Sequence, residues 1–127
     1  MEETLLKPQW FQILLALADK ELHGLGIQRE VLRQTDDRMR LWPRMLYGSL
    51  QSLSEAGWIE ERQGPEAPGL EEDRRRFYGL TEAGRERLAE ELRRMESYLR
   101  LAHKRRVLPA AGGLAQDLQE AAQGEKG

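Results

Sequence analysis

Between Leu88 and Ala102 the chain spaces its apolar residues in a way that few folds accommodate. Leu88, Leu92, Met95, Leu99 and Ala102 follow one another at intervals of four, three, four and three, the repeat that lays one narrow apolar stripe along a helix. The segment around them is densely charged, with eight Lys or Arg and five Asp or Glu over residues 81–106. A helix of this kind is too polar to be buried on every side, so its stripe needs one partner surface. Thr81 is placed to cap the start of this helix through its hydroxyl, and Glu82 puts negative charge at its positive end.

The 127 residues suffice for one domain core and an appended element. Three shorter helical patterns precede the long one. Pro8 suits a first helical turn, and Phe11, Leu14, Leu15 and Ala18 then recur at helical spacing, predicting a helix over 8–18. Ile27, Val31 and Leu32 share a face of a second helix that follows the His23-Gly24 turn and ends near Thr35. Pro43 opens a third, which carries Leu46, Leu50 and Leu53 and stops at Ala56-Gly57, where glycine allows a left-handed terminal residue.

Beyond Gly57 the pattern changes. Trp58 to Gln63 is compatible with a strand, Gly64-Pro65-Glu66-Ala67-Pro68-Gly69 with a loop, and Phe77-Tyr78-Gly79-Leu80 with a second strand. Pro109 and Gly112-Gly113 interrupt helical continuation, Leu114 to Ala122 allows one short helix, and the last residues are expected to be loosely held. The fold expected is mainly α with a small β-hairpin: a winged helix-turn-helix domain over 1–80, a long dimerisation helix over 81–106 and a short tail over 107–127.

Composition narrows the function. The net charge is −2, which excludes a protein that coats nucleic acid by bulk electrostatics and leaves local patches as the means of binding it. No apolar run approaches the roughly 18 residues of a membrane span, and Met1-Glu2-Glu3-Thr4 does not begin a secretory signal, so a cytoplasmic protein with no membrane partner is expected. The chain has two histidines and no cysteine. His23 and His103 lie on different elements, so no metal site follows from their spacing, and no nucleophile with a positioned base is evident. Neither an enzyme nor a cofactor is expected.

Three blocks carry a family resemblance. They are Leu14 to Leu32 with its His23-Gly24 turn; Pro43-Arg44-Met45-Leu46-Tyr47-Gly48-Ser49-Leu50 with Leu53 and Glu55-Ala56-Gly57-Trp58-Ile59-Glu60; and Arg75-Arg76-Phe77-Tyr78-Gly79-Leu80-Thr81-Glu82-Ala83-Gly84-Arg85. Together they resemble regulators of the PadR kind, the Leu46-Tyr47 pair and the Tyr-x-Leu-Thr-x-x-Gly junction being the most telling parts. The resemblance implies a dimeric repressor that binds double-stranded DNA, with the third helix in the major groove and the hairpin as a wing. It also implies that a small apolar effector can sit at the interface of the homodimer.

Carried onto this sequence, the DNA-binding candidates are Arg38, Arg40, Pro43, Arg44, Tyr47, Ser49, Arg74, Arg75 and Arg76. Arg44 is the candidate for a base contact, because a guanidinium fork matches guanine O6 and N7. Phe11, Leu88, Leu92, Met95, Leu99 and Ala102 are candidates for the dimer interface, and Trp10 either packs in the core or lines the effector pocket. Tyr47 reads equally as a core aromatic, and Trp58 as a core residue. The chain departs from the family at Trp42, where a small polar cap is usual, and in the acidic Glu66, Glu71, Glu72 and Asp73 of the loop. That acidity keeps open an alternative: a winged-helix protein interaction module without DNA binding.

Overall fold

The computed structural model describes residues 5–63 and 76–109. In chain order the elements are α1 (Pro8–Ala16), β1 (Leu22–His23), α2 (Gly24–Gln34), α3 (Pro43–Glu55), β2 (Ile59–Gln63), β3 (Arg76–Leu80) and α4 (Glu82–Lys104). The described residues fall into two compact units that divide between Glu91 and Leu92. The expected acidic loop and Arg74 and Arg75 lie outside the described residues, as does the short helix over Leu114 to Ala122.

The core of the first unit is built by the apolar faces that the sequence periodicity marks. Ile13 and Leu14 from α1, Ile27 and Val31 from α2, Leu46, Leu50 and Leu53 from α3, and Ile59, Tyr78 and Leu80 from the strands are all buried. Leu88 of α4 joins them at 4% exposure. The long stripe therefore does not begin at Leu88: the first of the expected interface residues belongs to this unit's own core, because α4 packs its opening turns there. Phe11 is half-buried against the same core.

The expected hairpin is a three-stranded sheet of order β1-β3-β2. Strands β2 and β3 pair antiparallel with Ile59 opposite Leu80 and Gln63 opposite Arg76. On the far edge of β3, Leu22 pairs with Tyr78 and His23 with Phe77. The expected turn at His23-Gly24 is thus the end of a strand and the start of a helix. His23 is the N-cap of α2, and its Nδ1 accepts a hydrogen bond from the Gly26 amide at 3.0 Å, while its ring meets Phe77 edge-on at 5.4 Å.

The end of α3 is locked to the start of α4. Gly57, at φ +80°, lets its own amide donate to the Ser54 carbonyl and the Trp58 amide to the Leu53 carbonyl, each at 3.0 Å, which is how a left-handed C-terminal residue satisfies the last carbonyls of a helix. The Thr81 hydroxyl then donates to the Gly57 carbonyl at 2.6 Å and accepts from the Gly84 amide at 3.0 Å, capping α4. Gly84 lies so close to the Trp58 carbonyl that an added Cβ would sit 1.9 Å from its oxygen.

Two glycines in helices should therefore respond oppositely to alanine. At Gly84 the collision is with backbone, so Gly84→Ala should destabilise by about 1–3 kcal/mol despite alanine's better helix propensity. At Gly48 in α3 an added Cβ meets nothing within 4 Å, so Gly48→Ala should stabilise by up to about 1 kcal/mol. Urea unfolding monitored by circular dichroism reads both signs.

Candidate nucleic-acid interface

The turn that delivers α3 is fixed from both sides. Just beyond α2, Asp36 and Asp37 stand at φ 52° and 64°, a left-handed conformation that aspartate tolerates better than most residues. There the Asp37 amide reaches the Leu32 carbonyl at 2.8 Å. The Thr35 hydroxyl donates to the Val31 carbonyl at 2.9 Å and accepts from the Met39 amide at 3.0 Å. Leu41 is fully buried, and the Gln28 side-chain amide donates to its carbonyl. The turn is thereby tied to α2, and α3 starts at Pro43 with its register set by Leu46, Leu50 and Leu53.

Arg38, Arg40, Trp42, Pro43, Arg44 and Met45 are all exposed around this start. The Arg40 guanidinium lies over the Trp42 ring at 5.5 Å from its centroid. Among the described residues, the side chains of Arg38 and Arg44 form no ion pair or hydrogen bond. The structure thus brings four of the expected residues, Arg38, Arg40, Pro43 and Arg44, to one end of α3.

Two of the other expectations change. Ser49 is 5% exposed: it falls between Leu46 and Leu50 on the inward face of α3, and its hydroxyl does not face outward to a phosphate. Tyr47 is 41% exposed but is also a packing residue. Its hydroxyl lies where a Cβ on Gly24 would sit, 2.9 Å away, so the absence of a side chain on the first residue of α2 makes room for the ring of α3. Sequence periodicity cannot show such a contact, although glycine opening a helix is a signal of close approach.

In the wing, Arg76 is exposed and its Nε pairs with the Glu61 carboxylate at 2.9 Å across β2 and β3. It also bonds to Tyr78, whose hydroxyl is raised above its ordinary pKa, first by burial and against the opposing pull of that bond. Arg62, on β2, holds Glu21 at 2.6 Å and Glu60 at 3.0 Å. These carboxylates raise its pKa.

Trp10 is half-buried and engaged within its own unit. It meets Trp58 edge-on at 6.4 Å, and the Lys7 ammonium covers its ring at 4.9 Å. A cavity of about 340 Å³ opens elsewhere, bordered by Lys20, Glu21, Arg62 and Arg85, and is not an apolar pocket. Among the described residues, no group of three His, Asp or Glu side chains is placed to hold a metal.

The sequence profile of the PadR-like family of transcriptional regulators matches residues 13–90, from the buried face of α1 through the junction of Thr81 and Gly84. The chain belongs to the PadR-like family. That family comprises transcription regulators and not enzymes. No curated protein matches the chain.

Solved structures similar to this PadR-like chain have the same fold. A transcriptional regulator from Clostridium thermocellum superposes with a TM-score of 0.61 at 23% identity, over 76% of this chain and 87% of the other. H. salinarum RosR gives 0.64 at 21% identity, over 95% and 94%. Bacillus subtilis PadR, solved in complex with operator DNA, gives 0.58 at 24% identity, over 68% of this chain and 47% of the other. Among the described residues of this PadR-like chain, no helix is long and apolar enough to cross a membrane.

The raised Tyr78 pKa has a consequence for stability. A phenol that holds its proton more tightly when folded contributes its full stabilisation below the unfolded value of 10.0, and loses it as pH rises through the folded value. Wild-type stability should therefore fall above pH 10.0 more steeply than that of Tyr78→Phe, as read by urea midpoints measured across the alkaline range.

Proposed function

We propose that this PadR-like chain is a sequence-specific DNA-binding repressor that acts as a homodimer. The observation that carries the reading is the exposed cationic start of α3, where Arg38 and Arg44 have no partner among the described residues. With a net charge of −2, affinity for DNA has to come from such a patch. In a helix-turn-helix protein this end of the third helix is the part that meets base edges, and the similar PadR of Bacillus subtilis was solved with operator DNA.

In the mechanism, Arg44 offers its guanidinium fork to guanine O6 and N7, while Arg38 and Arg40 neutralise phosphate. Arg76 grips the backbone from the wing after exchanging Glu61 for a phosphate, and Arg74 and Arg75, which lie outside the described residues, are proposed as further phosphate contacts. Tyr47 holds α3 against Gly24 and presents its exposed edge to the duplex. Bound across a promoter, such a dimer blocks transcription by occupancy in the cytoplasm.

The expected affinity is tested with the purified protein and a duplex from upstream of its own gene, by fluorescence anisotropy across a salt series. Binding should exceed that to random DNA and fall steeply with salt. Arg44→Ala should cost about 1–3 kcal/mol on that duplex. Unchanged affinity would remove Arg44 from the base contacts, and no preference for the duplex at any salt would turn the reading towards a winged-helix protein interaction module.

Dimerisation is supported by the second unit. Leu92, Met95 and Leu99 are 39, 37 and 41% exposed at the spacing of one stripe, and Ala102 is half-buried. A second copy of the stripe is the surface that covers it. A small apolar effector held at the dimer interface would alter the spacing of the two recognition helices, with Trp10 as the candidate residue of its pocket. Sedimentation should accordingly show wild-type dimers and Leu99→Glu monomers. A hydrophobic dye should quench tryptophan emission in the dimer and not in the monomer. A wild-type monomer would remove both ideas, and a dimer blind to the dye would remove the effector.

A further inference from the structure

We infer that Trp42 and Met45 form an apolar contact for thymine C5-methyl groups, at the end of α3 that approaches the duplex. The inference rests on the DNA-binding reading above and adds to it a preference for A·T pairs beside the bases read by Arg44.

The position of Trp42 is unusual for what it does inside the chain. It is the N-cap residue of α3, yet its side chain makes no capping hydrogen bond. Its indole is 63% exposed, so it gives little burial in return for the missing cap. Met45, three residues further and therefore its neighbour on the first turn, is 45% exposed. Two large apolar side chains thus stand largely exposed at the start of α3.

Their surroundings indicate the partner. The Arg40 guanidinium is stacked on Trp42, and Arg38 and Arg44 are exposed close by in sequence. An apolar protein partner would leave these charges facing a surface that cannot solvate them. A DNA major groove suits both kinds of group: phosphates line its rims, and the thymine methyl is the apolar group presented on its base edges. Arg40 over the indole face also leaves the ring edge and Met45 as the apolar surface offered outward.

The experiment starts from a duplex selected out of a random-sequence library by the wild-type protein. Each thymine in it is replaced in turn by deoxyuridine, which removes the methyl and leaves pairing intact. The wild type should bind about four-fold more weakly at one or two positions. Trp42→Ser, which restores a capping hydroxyl and so should keep the fold, should lose that discrimination while still preferring the selected duplex to random DNA. Discrimination that persists in Trp42→Ser, or uracil substitution without effect anywhere, would overturn the inference while leaving DNA binding intact. Failure of the wild type to select any sequence would overturn the DNA-binding reading itself, and this inference with it.

Discussion

The packing of α3 against the sheet and α4 depends on a few ångströms of backbone at the end of α3. Gly57 turns left-handed, Trp58 returns its amide to Leu53, and Thr81 ties the Gly57 carbonyl to the Gly84 amide. Because Gly84 lacks a Cβ, α4 can begin against the Trp58 carbonyl. The C-terminus of α3, both long strands and the start of α4 thus meet at one hydrogen-bonded junction. A side chain at position 84 would collide with the Trp58 carbonyl and push α4 off this junction.

Much of this was legible in the sequence because it is repetitive or chemically loud. Helical periodicity located α1 to α4, Pro43 and Gly57 bracketed α3, and the Thr-x-x-Gly spacing marked the junction at Thr81. What escaped was contact that leaves no period. A two-residue strand such as Leu22–His23 is too short for alternation to register, and it forms only because β3 has a free edge to pair with. Leu17 and Ala18 continue the apolar pattern into a turn, so periodicity alone extends α1 two residues beyond its end at Ala16. Ser49 looked like a surface hydroxyl by chemistry but lies inward by angle. Leu88 fits the heptad stripe and the domain core equally well on paper, and only packing shows which surface it meets.

The cationic patch is defined as much by arginines that are occupied as by those that are not. Arg62 is shared by Glu21 and Glu60, Arg87 by Glu90 and Glu91, and Arg85 donates to the Ala18 carbonyl. Each joins elements distant in sequence or braces one turn of helix. Such exposed pairs contribute little stability individually, but they neutralise charge where it would otherwise compete for an anionic partner. Arg38, Arg40 and Arg44 are left as the accessible cations around the start of α3, which is how a chain with net negative charge presents a positive face.

That start is also where the chain does without a cap. A capping side chain usually stabilises a helix by about 1 kcal/mol, by satisfying an amide that water would otherwise have to reach. Here the turn is held by other means: Leu41 is sealed in the core, Gln28 holds its carbonyl, and Thr35 holds Met39. Pro43, which has no amide hydrogen, removes one of the orphan donors altogether. With the backbone path fixed on the inner side of the turn, the residue at the cap position is released from a structural duty. The side chain of Trp42 can then be chosen for the surface it presents, and its exposure beside Arg40 is the physical result.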